Sequence, residues 1–147
     1  MELPATLDNV LAVIIAAVLG AAIGAEREWR RHSGGLRSAA LVAAAACVFA
    51  QIAVTAGGSN PGAALGAIAT GVGFLGAGVI MRHGSHVRGL STAATFWAVA
   101  AIGTAAGVFA YSQAVVLTVV VFFAHVALRP LSGWIERVAP PEDEGPR

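Results

Sequence analysis

An all-α integral membrane bundle of five transmembrane helices, with the N-terminus outside and the C-terminus cytoplasmic, is the fold class this sequence predicts. Composition is the first reason. Of the 147 residues 57% are hydrophobic and 12% are charged, where a soluble domain carries about 25% charged residues; the mean hydropathy is +0.77. The second reason is that the apolar residues fall into five runs of about 20, the length a helix needs to cross the hydrocarbon core. The third is the placement of charge. No Asp or Glu stands between Glu28 and Glu136, all nine basic residues are Arg, and the arginines gather in alternate connections. One domain over 1–138 and a disordered tail over 139–147 follow from the length and the Pro-rich, charged ending APPEDEGPR.

The spans are expected at 7–25, 38–56, 62–81, 90–110 and 113–131. Each must be helical, because an open strand leaves its backbone groups unsatisfied in lipid. Span one is preceded by Glu2 and is itself entered at Asp8, not by a positive n-region, so it is expected to remain as a span and not be cleaved as a signal peptide. Span two holds the lone Cys47, which has no intrachain partner and reads as a small core residue. After span five, 131–138 is expected to form a short helix on the membrane surface, with Trp134 at the headgroup level. Arg27, Arg30, Arg31 and Arg37 lie between spans one and two, Arg82 and Arg88 between three and four, and Arg129 and Arg137 near or after five. The connections around 57–61 and 111–112 carry no charge. The positive-inside rule then puts the first and third connections and the C-terminus in the cytoplasm.

Span three contains Gly71, Gly73 and Gly76 as G-x-G-x-x-G, with Gly78 beyond. A dinucleotide-binding fingerprint needs a preceding strand and an acidic residue about 20 positions on. Here the glycines sit inside an apolar run and that distance reaches Phe96 and Trp97, so the nucleotide reading fails. Close helix packing explains the letters better, since helices in lipid associate through small residues that let backbones approach. Rows of such residues are Gly62, Gly66 and Thr70, then Ala69, Gly73 and Ala77, with Ala16, Gly20 and Gly24 on span one and Gly103 and Gly107 on span four. Span three is therefore expected to be the central helix, and the glycine faces to pack on a second copy of the chain or on another membrane protein.

The connection 82–89 holds Arg82, His83, His86 and Arg88. Ser91 or Thr92 reads as the N-cap of span four, whose positive dipole end would lie beside the two arginines. Three roles are open: topology anchoring, an anion site at that helix end, or pairing of Arg82 or Arg88 with Glu26 across the bundle. His83 and His86 lack a third metal ligand, and His125 lies in span five, where an ionisable residue is a functional candidate. Spans two to five contain no carboxylate, the ligand that Mg²⁺ or Ca²⁺ sites favour. Their polar groups are mainly the hydroxyls of Thr55, Thr70, Thr92, Thr95, Thr104 and Thr118, plus Gln51. No nucleophile, base and acid can be assigned together, so neither an enzyme nor a cofactor is expected. A net charge of +1 gives no signal for nucleic acid. An oligomeric channel or transporter for a small ion or solute, lined by span three, stands as the alternative to a non-enzymatic regulator.

The sequence resembles the MgtC/SapB family of bacterial inner-membrane proteins over residues 7 to 135. The resemblance rests on GAEREWRR at 24–31, GGLRSAALV at 34–42, GVGFLGAGVIMRHGSHVRGLSTAATFW at 71–97 and AAIGTAAG at 100–107. It carries the family's motif positions onto Glu26, Arg27, Gly35, Leu36, Arg37, Gly71, Gly73, Gly76, Gly78, Arg82, Arg88, Gly89, Thr92 and Trp97. Where the family usually writes Asp-Pro-x-Arg, this chain has Asn60, Pro61, Gly62 and Ala63, and a usual Gln matches Ala67. The ACT-like C-terminal domain of many members is not expected here. The resemblance implies a regulator linked to magnesium limitation and to survival inside host cells. It also implies a protein that is not itself a Mg²⁺ transporter, with inhibition of the F-type ATP synthase as one mechanism.

Overall fold

The computed structural model describes residues 3–55, 61–83 and 86–138. Five helices, α1 (Leu3–Trp29), α2 (Leu36–Thr55), α3 (Pro61–Val79), α4 (Leu90–Gly107) and α5 (Tyr111–Val138), carry the chain. Each contains a stretch long and apolar enough to cross a membrane. The connection between α3 and α4 is an antiparallel hairpin, β1 (Met81–His83) and β2 (His86–Arg88), in which Met81 faces Arg88 and Arg82 faces Val87. The neutral connection at 57–60, Asn60 with it, the tail 139–147 and the side chains of His83 and His86 lie outside the described residues.

Two boundaries differ from expectation for one reason. α1 continues past 25 to Trp29, and α5 runs unbroken through 131–138, so the separate surface helix is the last two turns of α5. Hydropathy marks where a helix leaves lipid; it does not mark where its backbone hydrogen bonds stop. α1 instead stops at a Schellman turn. Arg31, at φ 58°, is left-handed, its N–H reaches the Glu28 carbonyl at 2.9 Å and the His32 N–H reaches the Arg27 carbonyl at 3.0 Å. α4 ends in the same way at Phe109, φ 61°, with Ala110 N–H on Ala105 O at 2.8 Å.

The central helix is α4, not α3. Half of Leu90–Gly107 is buried, against 11% of Gly62–Val79, and α4 packs on each of the other four helices. The reason lies in which small residues meet. α2 presents a row of Ala39, Ala43, Ala46, Cys47 and Ala50, all buried. α1 lays Gly20 and Gly24 on one side of that row, and α4 lays Gly103 and Gly107 on the other. A Cβ on Gly20 would stand 2.7 Å from both the Ala39 oxygen and the Ala43 Cβ. One on Gly103 would run into the Ala43 carbonyl, and one on Gly107 into that of Cys47. Lipid tails are as apolar as these side chains, so backbone approach and dispersion hold the helices together. The rows read on spans one and four thus pack as expected, and Cys47 is buried in the core as expected. From the rows read on span three, Gly66 and Gly73 have nothing within 4 Å of where a Cβ would be; of the other described glycines there, Gly71 and Gly78 have none either, and Gly76 meets a neighbour helix at Ala93, 3.4 Å away.

Candidate functional site

A cluster of polar groups forms at one end of the bundle, where α1 ends, α2 and α4 begin and α5 passes. The sequence from Gly24 to Arg37 builds this corner almost residue by residue. Gly24 lets α1 lie against the start of α2, since a Cβ there would sit 2.7 Å from Leu36 Cα. Glu28 Oε2 accepts the Leu36 N–H at 2.9 Å and so satisfies one of the open donors at the α2 N-terminus. Gly35 leaves room for that carboxylate, which would stand 2.6 Å from an added Cβ. Gly34, at φ +75°, lies under the Phe96 ring and the Thr92 methyl, each 2.9 Å from a Cβ position.

Arg27 is the centre of the corner. Its side chain is 2% exposed inside the apolar span Ala5–Trp29, an expensive place for a charge. Nη1 donates to Thr95 Oγ1 at 3.0 Å and to Ser91 Oγ at 3.4 Å. Nη2 donates to Thr92 Oγ1 at 2.7 Å and to the Ser33 carbonyl at 2.9 Å. One side chain thereby joins α1, the 30–35 turn and the first two turns of α4. This is also why the expected N-cap is absent. Ser91 and Thr92 spend their hydroxyls on Arg27 and Ser33, and α4 starts instead at left-handed Gly89, φ 93°, with no side-chain cap. A Cβ on Gly89 would collide with the Val79 carbonyl, so the hairpin returns tightly against the end of α3.

Glu26 points the other way, towards α5. It pairs with Arg30 one turn on, and its Oε2 lies 3.6 Å from His125 Nδ1. His125 Nε2 is 3.1 Å from Thr95 Oγ1, the same hydroxyl that holds Arg27. His125 thus faces the bundle. The pairing of Glu26 with Arg82 or Arg88 gives way to these partners, because Arg30 is one helical turn distant and the hairpin returns beside α3 instead. A cavity of about 370 Å³ opens here, lined by Glu26, Arg27, Arg30, Ser91 and His125 among others.

The remaining motif positions lie elsewhere. Arg37, Arg82, Arg88, Leu36 and Trp97 are exposed. Gly71, Gly73 and Gly78 are exposed on α3, on either flank of Phe74, which is 81% exposed. Between α3 and α2 runs an apolar cleft of about 660 Å³, lined by Val42, Phe49, Ile68, Gly71 and Leu75 among others. Ala63 and Ala67, where the resemblance expected an Arg and a Gln, are on the exposed part of α3. Arg27 and Thr92 of the expected set therefore meet, with Glu26 beside them. Ser33, Ser91, Thr95 and His125 join them and were not placed there by sequence. A signal existed: Thr92 and Thr95 share a helix face three residues apart, and a lone Arg inside an apolar run needs acceptors. Among the described residues no three His, Cys, Asp or Glu side chains are grouped so as to hold a metal ion.

Five apolar helices around a polar corner define a multi-pass membrane protein, all-α in its bundle. Residues 13–134 match the profile of the MgtC family, and the chain belongs to that family. It is 47% identical to Protein MgtC of Salmonella typhimurium over 120 residues, 82% of this chain and 52% of that one. Protein MgtC of Brucella abortus is 44% identical over 117 residues, 79% of this chain and 49% of that one. An uncharacterised protein of Synechocystis is 43% identical over 129 residues, 87% of this chain and 55% of that one. The chain spans about half the length of these curated relatives. No solved structure matches it.

Proposed function

We propose that the chain is a non-enzymatic regulator in the bacterial inner membrane, N-terminus out and C-terminus in, that works by contact with another membrane protein. Its setting is magnesium limitation and intracellular survival, with the F-type ATP synthase as the first partner to try. The observation that carries the reading is the outer face of α3. Gly66 and Gly73, two turns apart on one exposed side of α3 with Thr70 and Ala77, have no neighbour within 4 Å of a Cβ position, yet glycine costs about 1 kcal/mol against alanine in a helix interior. A face that the chain's own packing leaves unused, and that admits a close backbone approach, suits docking by another transmembrane helix. The orientation rests on the arginines of the first and third connections, and exposed Trp29 and Trp134 suit the headgroup level at that same end.

Co-purification from native membranes in mild detergent tests this, with wild type beside Gly73→Leu. The expected result is a stoichiometric partner that is lost in the variant while the variant itself extracts and elutes normally. A wild-type sample that carries no partner, and instead conducts ions in proteoliposomes with a block by Gly71→Leu, would overturn it in favour of a channel.

A further inference from the structure

The cavity beside Arg27 has an electrostatic imbalance. Three charged side chains line it: Arg27, Arg30 and Glu26. Glu26 and Arg30 form an ion pair and offset one another. Arg27 has no carboxylate in its contact shell among the described residues; its four hydrogen bonds all go to neutral oxygens, three hydroxyls and one carbonyl. A guanidinium has five N–H groups, and the fifth, on Nε, is buried without an acceptor among the described residues. The side chain is 2% exposed. Glu26, the nearest carboxylate, acts on this buried cation through space but is shared with Arg30 and His125, so the charge is only partly offset. The corner holds it rigidly all the same, through two turns of α4 and the 30–35 segment.

We propose that this cavity binds a small oxyanion of the phosphate class, which neutralises Arg27, with Ser91 and His125 as neighbouring hydrogen-bond groups. At about 370 Å³ it has room for several waters, and so for a phosphate group with part of its hydration shell. The site lies where α1 leaves the apolar span, level with Trp29, which is 90% exposed, and so near headgroup depth. Two sources meet the same chemistry there: the phosphate of an anionic lipid entering from the side, or free inorganic phosphate from the aqueous phase. His32 lines the same cavity and offers a further nitrogen to either. The inference rests on the multi-pass fold and not on the regulator reading, so its failure leaves that reading standing.

The test uses the full chain in phosphate-free maltoside detergent. Inorganic phosphate is titrated by calorimetry, and retention of added phosphatidylglycerol is read by native mass spectrometry. Arg27→Gln is not the variant of choice, since it removes the corner's own hydrogen bonds. Ala124→Trp fills the cavity from α5, where Ala124 lines it, and should weaken binding at least tenfold. Glu26→Gln removes the competing carboxylate and should tighten binding at least threefold, a change opposite to that expected from damage to the fold. Saturable phosphate binding with both shifts supports the site and assigns it a free anion. One retained phosphatidylglycerol per chain, released more readily by Ala124→Trp and less readily by Glu26→Gln, supports it and assigns a lipid. Binding of neither probe, or binding that Glu26→Gln leaves unchanged or weakens, overturns the proposal.

Discussion

The two glycine-bearing motifs of this chain are built from similar letters and do opposite work. In the corner, Gly24 to Arg37, the small residues are filled space: each glycine faces a backbone, a ring or a carboxylate, and each of Glu26, Arg27 and Glu28 has a partner on another element or on the next turn. In the block from Gly71 to Gly78 three of the four glycines are exposed, Gly71 at the cleft beside α2, and only buried Gly76 has a neighbour near its Cβ position. The corner holds α1, α2, α4 and α5 together. The block adds nothing to the bundle's own cohesion that alanine would not. Glycine in a membrane helix therefore marks a close approach only when the approaching backbone belongs to the same bundle; otherwise it marks a face left open.

The largest effect that would break this comparison lies in the glycines themselves. Gly103→Leu drives a side chain into the Ala43 carbonyl and should separate α2 from α4, a loss in the range of several kcal/mol that core overpacking brings at its worst. Gly73→Leu should leave the fold within about 0.5 kcal/mol of wild type. Thermal unfolding in detergent, followed by size exclusion, checks both, and equal damage from the two would end the distinction. A smaller difference is expected between two arginines. Arg27→Ala leaves Thr92 and Thr95 without their donor in a buried site and should cost about 2–4 kcal/mol. Arg88→Ala, on an exposed hairpin strand, should stay within about 0.5 kcal/mol, so a melting temperature depressed as far as that of Arg27→Ala would shift the hairpin into the structural half of the molecule. The smallest effect has the opposite sign. Arg31→Gly relieves a left-handed non-glycine residue at the α1 terminus and should stabilise by up to about 1 kcal/mol.

Much of the fold was legible before the structure, and the illegible part has a consistent cause. The five helices appear where the apolar runs are, since run length and backbone satisfaction in lipid are properties of a segment alone. The small-residue rows of spans one and four could be read as packing faces for the same reason. The central position given to span three was wrong because a row of glycines says that an approach is possible and not which helix makes it. The N-cap at Ser91 or Thr92 was wrong because a hydroxyl at a helix start has two uses, and Arg27, 64 and 65 residues away in sequence, took both for side-chain hydrogen bonding. The Glu26 pairing failed likewise, since several arginines share that end of the bundle and proximity among them is set by helix rotation.

By itself, then, the sequence determined that this chain forms five apolar helices with its arginines gathered in alternate connections, and that it carries the motifs of its family. Only the tertiary structure decided that α4 is the hub, that Arg27 is the buried clasp of the corner and that most of the glycine block has no neighbour at its Cβ positions. Segment hydrophobicity sets the first group through the free energy of each helix in lipid. The second group depends on which faces meet, and that is settled by steric fit and by hydrogen bonds between residues far apart in the chain.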